Sequence, residues 1–235
     1  KYNKIHYKCL IGLYDVLMSK KLHADAYEVV KKVARYFPAN PQRLSQVLRL
    51  AIMTQSYEDI EKYYQTFTQI ETRDEMLIKF VCAALVVTGK FYLQRNFGSR
   101  ALELFNKAAT TGAGRTKILR EIITALVQHN LAKEASEFLK RFPPKTQSEA
   151  DFLTMDLIVG DKLHPPSMTI DKGRKLIQNG IHDPEIYKVL ITRCIEVGFK
   201  DNAEKLLQDA VKKWPDQQTT FESLLKNTKG QDKSA

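Results

Sequence analysis

Few residues in this chain combine a reactive type with a spacing that could do chemistry. The nearest thing to a phosphate loop is Gly112-Ala113-Gly114-Arg115-Thr116-Lys117. A phosphate loop needs G-x-x-x-x-G-K-[ST] between a strand and a helix, so that backbone N–H groups cradle the phosphates. Here the order is wrong and the preceding segment is helical, so the glycines read as a helix end. Cys9, Cys82 and Cys194 lie inside apolar helical patterns, with no C-x-x-C and no His at metal-ligand spacing. They read as small buried apolar residues. His6, His23, His129, His164 and His182 are scattered, and no Cys–His or Ser–His–Asp set follows from spacing. Glu58-Asp59 with Glu61, and Glu71 with Asp74-Glu75, suit acidic first turns of helices better than paired catalytic acids. The expectation is a protein that is not an enzyme and holds no metal or cofactor.

With no catalytic set to position, composition bounds the rest. The 235 residues make one large domain, two small ones or a repeat array. Apolar residues reach 43%, which excludes wholesale disorder. Gly (10) and Pro (8) are too few for a turn-rich all-β chain. Three Cys cannot form a disulfide framework and fit a reducing compartment, so the expected location is cytoplasmic. The longest apolar run, residues 80–87, falls short of the roughly 20 residues a membrane helix needs. A start at Lys1, without Met or a signal-peptide pattern, fits a piece of a longer protein. Lys and Arg number 37 against 27 Asp and Glu, a net charge of +10.

The elements are helices. Leu10, Leu13, Tyr14 and Leu17 share one helical face, as do Leu44, Val47, Leu48 and Ala51, and Leu119, Ile122, Ile123 and Leu126. No sustained period-2 alternation bounded by hairpin turns competes with them. Asp183-Pro184-Glu185 is an N-cap, a Pro at the first helical position and an acid in the first turn. Thr146 with Glu149, and Thr219 with Glu222, have capping-box spacing. Phe37-Pro38-Ala39-Asn40-Pro41, Phe142-Pro143-Pro144 and Trp214-Pro215-Asp216 are stops. Gly89, Gly98, Gly160 and Gly198 mark other ends. Such short helices are marginal alone and must pack on neighbours.

A pattern then repeats: a small or aliphatic residue, a large one four later, another three after that. It occurs at Ala26/Val30/Val33, Ile60/Tyr64/Phe67, Ala101/Phe105/Ala108, Ala135/Leu139/Phe142 and Ala203/Leu207/Ala210. The first members lie 34, 41, 34 and 68 residues apart. A degenerate copy, Gly173/Ile177/Gly180, fills the double gap. The 41 is 34 plus two helical turns, placed near residues 89–95. A 34-residue helix–turn–helix period is the signature of tetratricopeptide repeats. Over about residues 7–216 the chain resembles that family. Repeat one supplies Leu10, Leu13, Leu17, Ala26 and Pro38, and the last supplies Tyr187, Leu190, Cys194, Ala203 and Pro215. Tyr14, Leu48, Ile123 and Ile191 stand where the family has a glycine, so the repeats are divergent. The resemblance implies an all-α α-solenoid, a right-handed superhelix of stacked antiparallel helical hairpins. One repeat domain is expected over residues 1–225. It would hold about six hairpins, one lengthened near 89–95 and one degenerate near 149–180. Residues 219–225 would cap the last repeat, and residues 226–235 read as a frayed polar tail.

In that family the first helix of each pair lines a groove. Carried over, its positions give Lys8, Ile11, Asp15 and Met18; Gln42, Ser45, Arg49 and Ile52; Met76, Lys79, Ala83 and Val86; Lys117, Arg120, Thr124 and Val127; Glu185, Lys188, Thr192 and Ile195. The resemblance thus implies a groove bearing Lys8, Arg49, Lys79, Lys117, Arg120 and Lys188, with Ile11, Met18, Ile52 and Val127 beside them. Such a groove suits an acidic extended peptide or an amphipathic helix. The family's carboxylate clamp needs an Asn that is missing here. Three segments, HYKCLIGLYDVL, AYEVVKKVARYFPANPQRL and KFVCAALVVTGKFYL, also resemble the repeat region of bacterial response regulators. That implies the adaptor part of a two-component signalling protein, a scaffold that binds and does not catalyse. Two alternatives stay open. Net charge permits nucleic-acid binding, although acids alternate with the bases and no recognition helix or stacking platform is evident. Self-association into a homodimer could use residues 89–95, with Phe91, Tyr92 and Leu93, unless these pack on the adjacent helix.

Overall fold

A computed structural model describes residues 4–70, 74–112, 115–143 and 149–226. Residues 227–235 of the expected tail, with Glu71, Ala113, Gly114, Pro144 and Thr146, fall outside these. The described residues form thirteen α-helices and one 3-10 turn, with no strand among them. In order they are α1 (Lys4–Ser19), α2 (His23–Tyr36), α3 (Pro41–Met53), α4 (Tyr57–Thr68), α5 (Glu75–Gln94), α6 (Gly98–Thr111), α7 (Thr116–Gln128), α8 (Ala132–Arg141), α9 (Glu149–Leu163), α10 (Pro166–Gln178), α11 (Pro184–Glu196), α12 (Lys200–Lys213) and α13 (Gln218–Lys226). The twelve helices α1 to α12 make six successive pairs, and α13 follows. The fold is all-α.

One turn design joins the helices of a pair. Lys21, Gln55, Asn96, Asn130 and Gly198 each take a left-handed φ, between 56° and 82°. Each donates its N–H to the carbonyl three back, and the next residue donates to the carbonyl five back. Gln55 N–H reaches Ile52 O at 3.2 Å and Ser56 N–H reaches Ala51 O at 2.8 Å. Asn130 and Leu131, and Gly198 and Phe199, repeat these bonds. This is the Schellman end, which satisfies carbonyls that a helix terminus leaves open. These left-handed residues lie 34, 41, 34 and 68 residues apart, the same intervals as the side-chain repeat. The pair α9–α10 is joined differently. His164 and Pro165 lead directly into Pro166 at the first position of α10, and this is the degenerate copy.

The repeated small residue marks where helices cross. Ala26, Ile60, Ala101, Ala135 and Ala203 have no exposed surface. Gly173, the degenerate equivalent, is so close to Leu190 that an added Cβ would lie 2.7 Å from its Cδ2. The seven extra residues lengthen a helix: α5 has 20 residues where α3, α7 and α11 have 13. Seven residues are close to two turns, so the buried face keeps its register. Gly89, expected at a helix end, is inside α5, where a Cβ would come within 3.0 Å of the Phe105 ring. α5 also has the length and mean hydropathy (1.8) of a membrane span, which the eight-residue run 80–87 did not suggest. Its apolar residues are used inside: Leu77, Val81, Leu85 and Leu93 are buried.

The chain divides into two compact units, Lys1–Ile118 and Leu119–Ala235. In the first, α1 packs on α2, α2 on α3, α3 on α4 and α5, and α5 on α4 and α6. In the second, α9 packs on α8, α10 and α11, and α11 on α10, α12 and α13. Asn40, Asp74 and Asp183 cap α3, α5 and α11 by accepting first-turn N–H groups. The Thr219–Glu222 capping box does not form. α13 starts at Gln218 straight from the 3-10 turn Pro215–Gln217, and Glu222 accepts from Gln218 instead. Phe221 of α13 is fully buried against Trp214 and closes the second unit's core.

Candidate partner-binding face

The three first helices of unit 1 present one exposed stripe each. Lys8 and Asp15 of α1, Gln42 and Arg49 of α3, and Met76, Lys79 and Ala83 of α5 are exposed, while Ile11, Met18, Ser45 and Ile52 are half-buried among them. Val86 is buried at 1%, so the stripe on α5 ends at Ala83. Lys8, Arg49 and Lys79 make no ion pair among the described residues. Burial raises the Tyr14 phenol above its ordinary value, while the nearby Arg49 guanidinium pulls it down.

The second unit treats its cations differently. Arg120 donates to Asp151 and to Asp183, both at 2.9 Å. Lys188 pairs with Glu185 at 2.7 Å. Arg193 grips the buried Asp161 with two bonds to its carboxylate, at 2.6 and 2.8 Å, and pairs with Glu196 as well. Arg120 and Lys188 are therefore internal ion-pair partners rather than free donors. Val127 is 7% exposed and belongs to the core rather than to a groove wall. Lys117 is exposed in the first turn of α7. The charge follows the same division. Unit 1 holds 19 Lys and Arg against 10 Asp and Glu, net +9, and unit 2 holds 18 against 17, net +1.

Several of the residues weighed for chemistry have structural partners. Gly112 closes α6, so a helix precedes the loop-like stretch, and Arg115 pairs with Glu75 at 3.7 Å. Asp59 accepts from the Tyr27 hydroxyl at 2.7 Å and pairs with Lys31, and Glu61 pairs with Arg100. Cys82 and Cys194 are buried, and burial pushes the Cys82 thiol up to about 11. Cys9, expected in the core, is exposed. His182 Nδ1 lies 3.1 Å from the Tyr187 hydroxyl, which donates to Asp209 at 2.6 Å. That chain ties α11 to α12, and spacing gave no sign of it.

The two extra turns of α5 create one feature that the sequence reading missed. Phe91, Tyr92 and Arg95 stand beside residues 55–59 and Phe97, enclosing a cleft of about 440 Å³. The Phe91 ring lies 4.3 Å from the Tyr57 ring and 4.2 Å from the Arg95 guanidinium. Leu93 is 3% exposed. The segment considered for self-association thus spends its side chains inside unit 1. The cleft offers aromatic walls with a carboxylate, Glu58, and a stacked guanidinium at its edge, the fittings of a side-chain receptor.

No family model matches the sequence, and no curated protein matches it. Solved structures do. A tetratricopeptide repeat protein from Parabacteroides merdae superposes with a TM-score of 0.56 at 13% identity, over 88% of this chain and 79% of that one. PilF of Pseudomonas aeruginosa gives a TM-score of 0.48 at 11% identity, over 92% and 96%. The likeness to the first is one of fold: six helical pairs, joined at a 34-residue period, form tetratricopeptide-type repeats.

Proposed function

We propose that the chain is a non-catalytic protein-interaction scaffold, and that unit 1 binds an acidic peptide or amphipathic helix across α1, α3 and α5. One observation carries this reading. Each of three successive first helices carries an exposed cation, Lys8, Arg49 or Lys79, with no ion-pair partner among the described residues, and half-buried Ile11, Met18 and Ile52 lie among them. Stacked hairpins hold such a row rigidly, so a partner pays little to meet it. The likeness of three segments to response-regulator repeats supports an adaptor role in bacterial two-component signalling, in the cytoplasm.

The test is fluorescence anisotropy with a labelled peptide of glutamates interrupted by leucines. Arg49→Glu with Lys79→Glu should weaken binding about tenfold or more while helicity stays unchanged. Lys133→Glu with Lys140→Glu, on exposed α8 positions of unit 2, should leave it intact. Equal affinity in all three proteins would overturn the reading. Competition by duplex DNA, with a steep loss on adding salt, would assign the charge to nucleic acid instead.

A further inference from the structure

The outer face of α1 has no packing partner among the described residues of unit 1. α1 packs inward through Leu10, Tyr7, Ile11, Tyr14 and Leu17. Leu13, which the repeat pattern places among the packing residues, is 46% exposed, and Val16 is 49% exposed. Cys9 and Gly12 are exposed on the same side. Cys9, Gly12 and Val16 follow each other at three and four residues, the spacing of a helix–helix seam, and Leu13 flanks it. A Cβ at Gly12 would meet nothing within 4 Å, so another backbone can approach there closely.

We propose that this face pairs with the same face of a second copy, as an antiparallel two-fold α1–α1 contact. Charge selects that occupant. Lys8 and Asp15 are seven residues apart, so they sit on one edge of the seam, and neither has an ion-pair partner among the described residues. In an antiparallel pair, like edges face each other. Lys8 then meets Asp15 of the second copy, and Asp15 meets its Lys8. In the same register Cys9 lies opposite Gly12 of the other copy, so the small residues meet where the helices cross. A parallel pair brings no Lys8 to an Asp15. A helix of 16 residues offers a short seam of about 24 Å. The contact is accordingly small and the dimer weak. The proposal shares Lys8 with the peptide-binding reading, but that reading is tested through Arg49 and Lys79, so the two can fail separately.

The test is sedimentation equilibrium of the whole chain at low salt, from about 5 to 500 µM, a range suited to a short interface. The wild type should pass from monomer towards dimer. Lys8→Glu alone and Asp15→Lys alone should each weaken the dimer about tenfold, and the double exchange should restore it to within about threefold. Gly12→Leu should abolish it while raising helix propensity, so that loss of fold cannot explain the result. A short bismaleimide should link Cys9 to Cys9, because Cys82 and Cys194 are buried. A monomer at every concentration, or a dimer indifferent to the charge exchange and to Gly12→Leu, would overturn the proposal.

Discussion

The buried polar side chains are the ones that most need their partners. Asp161 is 8% exposed and depends on Arg193 for its compensation. Arg193→Met should cost about 3 kcal/mol in urea unfolding, because it leaves a buried carboxylate with only the longer Lys162 contact, at 3.7 Å. Asp161→Asn combined with Arg193→Met should cost clearly less than the two single changes together. Tyr27 and Tyr187 are a matched pair, one in each unit. Burial, helped by donation to Asp59 and Asp209, raises both phenols above their ordinary value of 10.0. Above that pH the unfolded chain sheds these protons while the folded chain keeps them. Stability should therefore fall as pH rises beyond 10 and be unaffected by these groups below it. Tyr27→Phe and Tyr187→Phe should each make the fall shallower, read as unfolding midpoints across alkaline pH. None of these partners was legible in the sequence. Asp161 and Arg193 are 32 residues apart, and Arg120 meets carboxylates 31 and 63 residues away. Those separations follow only from stacking, which is also why the family resemblance presents Arg120 as a free groove donor.

Elements were far more legible, because the repeat states the same local chemistry again and again. The 34-residue interval recurs in the left-handed turn residues as well as in the crossing-point alanines. The extra seven residues became two turns of α5, as the anomalous interval implied. Reading failed where a local pattern was overruled by packing. Thr219 and Glu222 have capping-box spacing, but burial of Phe221 draws the preceding 3-10 turn into α13. Leu13 matches the apolar template, yet it is 46% exposed, with no described element packed on that side of α1. Gln55 shows the strain the turn design tolerates. An L-residue with a side chain pays about 1 kcal/mol or more in the left-handed region. Gln55→Gly, at φ 56°, should stabilise the protein by about 0.5 kcal/mol once the looser unfolded chain is counted. Asn130→Gly should gain less, since Asn already tolerates this conformation. Thermal melts of both variants check the order, and a destabilised Gln55→Gly would show that its side chain holds the turn.

At the scale of the molecule, the two units share a repeat design and differ in charge. The net charge of +10 is almost wholly that of unit 1, while in unit 2 acids nearly balance the bases and Arg120, Lys188 and Arg193 are held in ion pairs. The total was plain from composition, but its division was not, because the boundary between units is a property of contacts. A uniform basic groove along the array was the expectation. Of the expected cations, Arg120 and Lys188 are held in ion pairs, whereas Lys8, Arg49, Lys79 and Lys117 make none among the described residues. The two proposals draw on unit 1 alone, the cations of α1, α3 and α5 for an acidic partner and the outer face of α1 for a second copy, with Lys8 common to both. Hydrogen–deuterium exchange, with and without a saturating glutamate–leucine peptide, tests the central claim most directly. The account predicts slowed exchange in α1, α3 and α5, with α9 and α11 unchanged. Protection confined to unit 2, or none despite saturation, would contradict it.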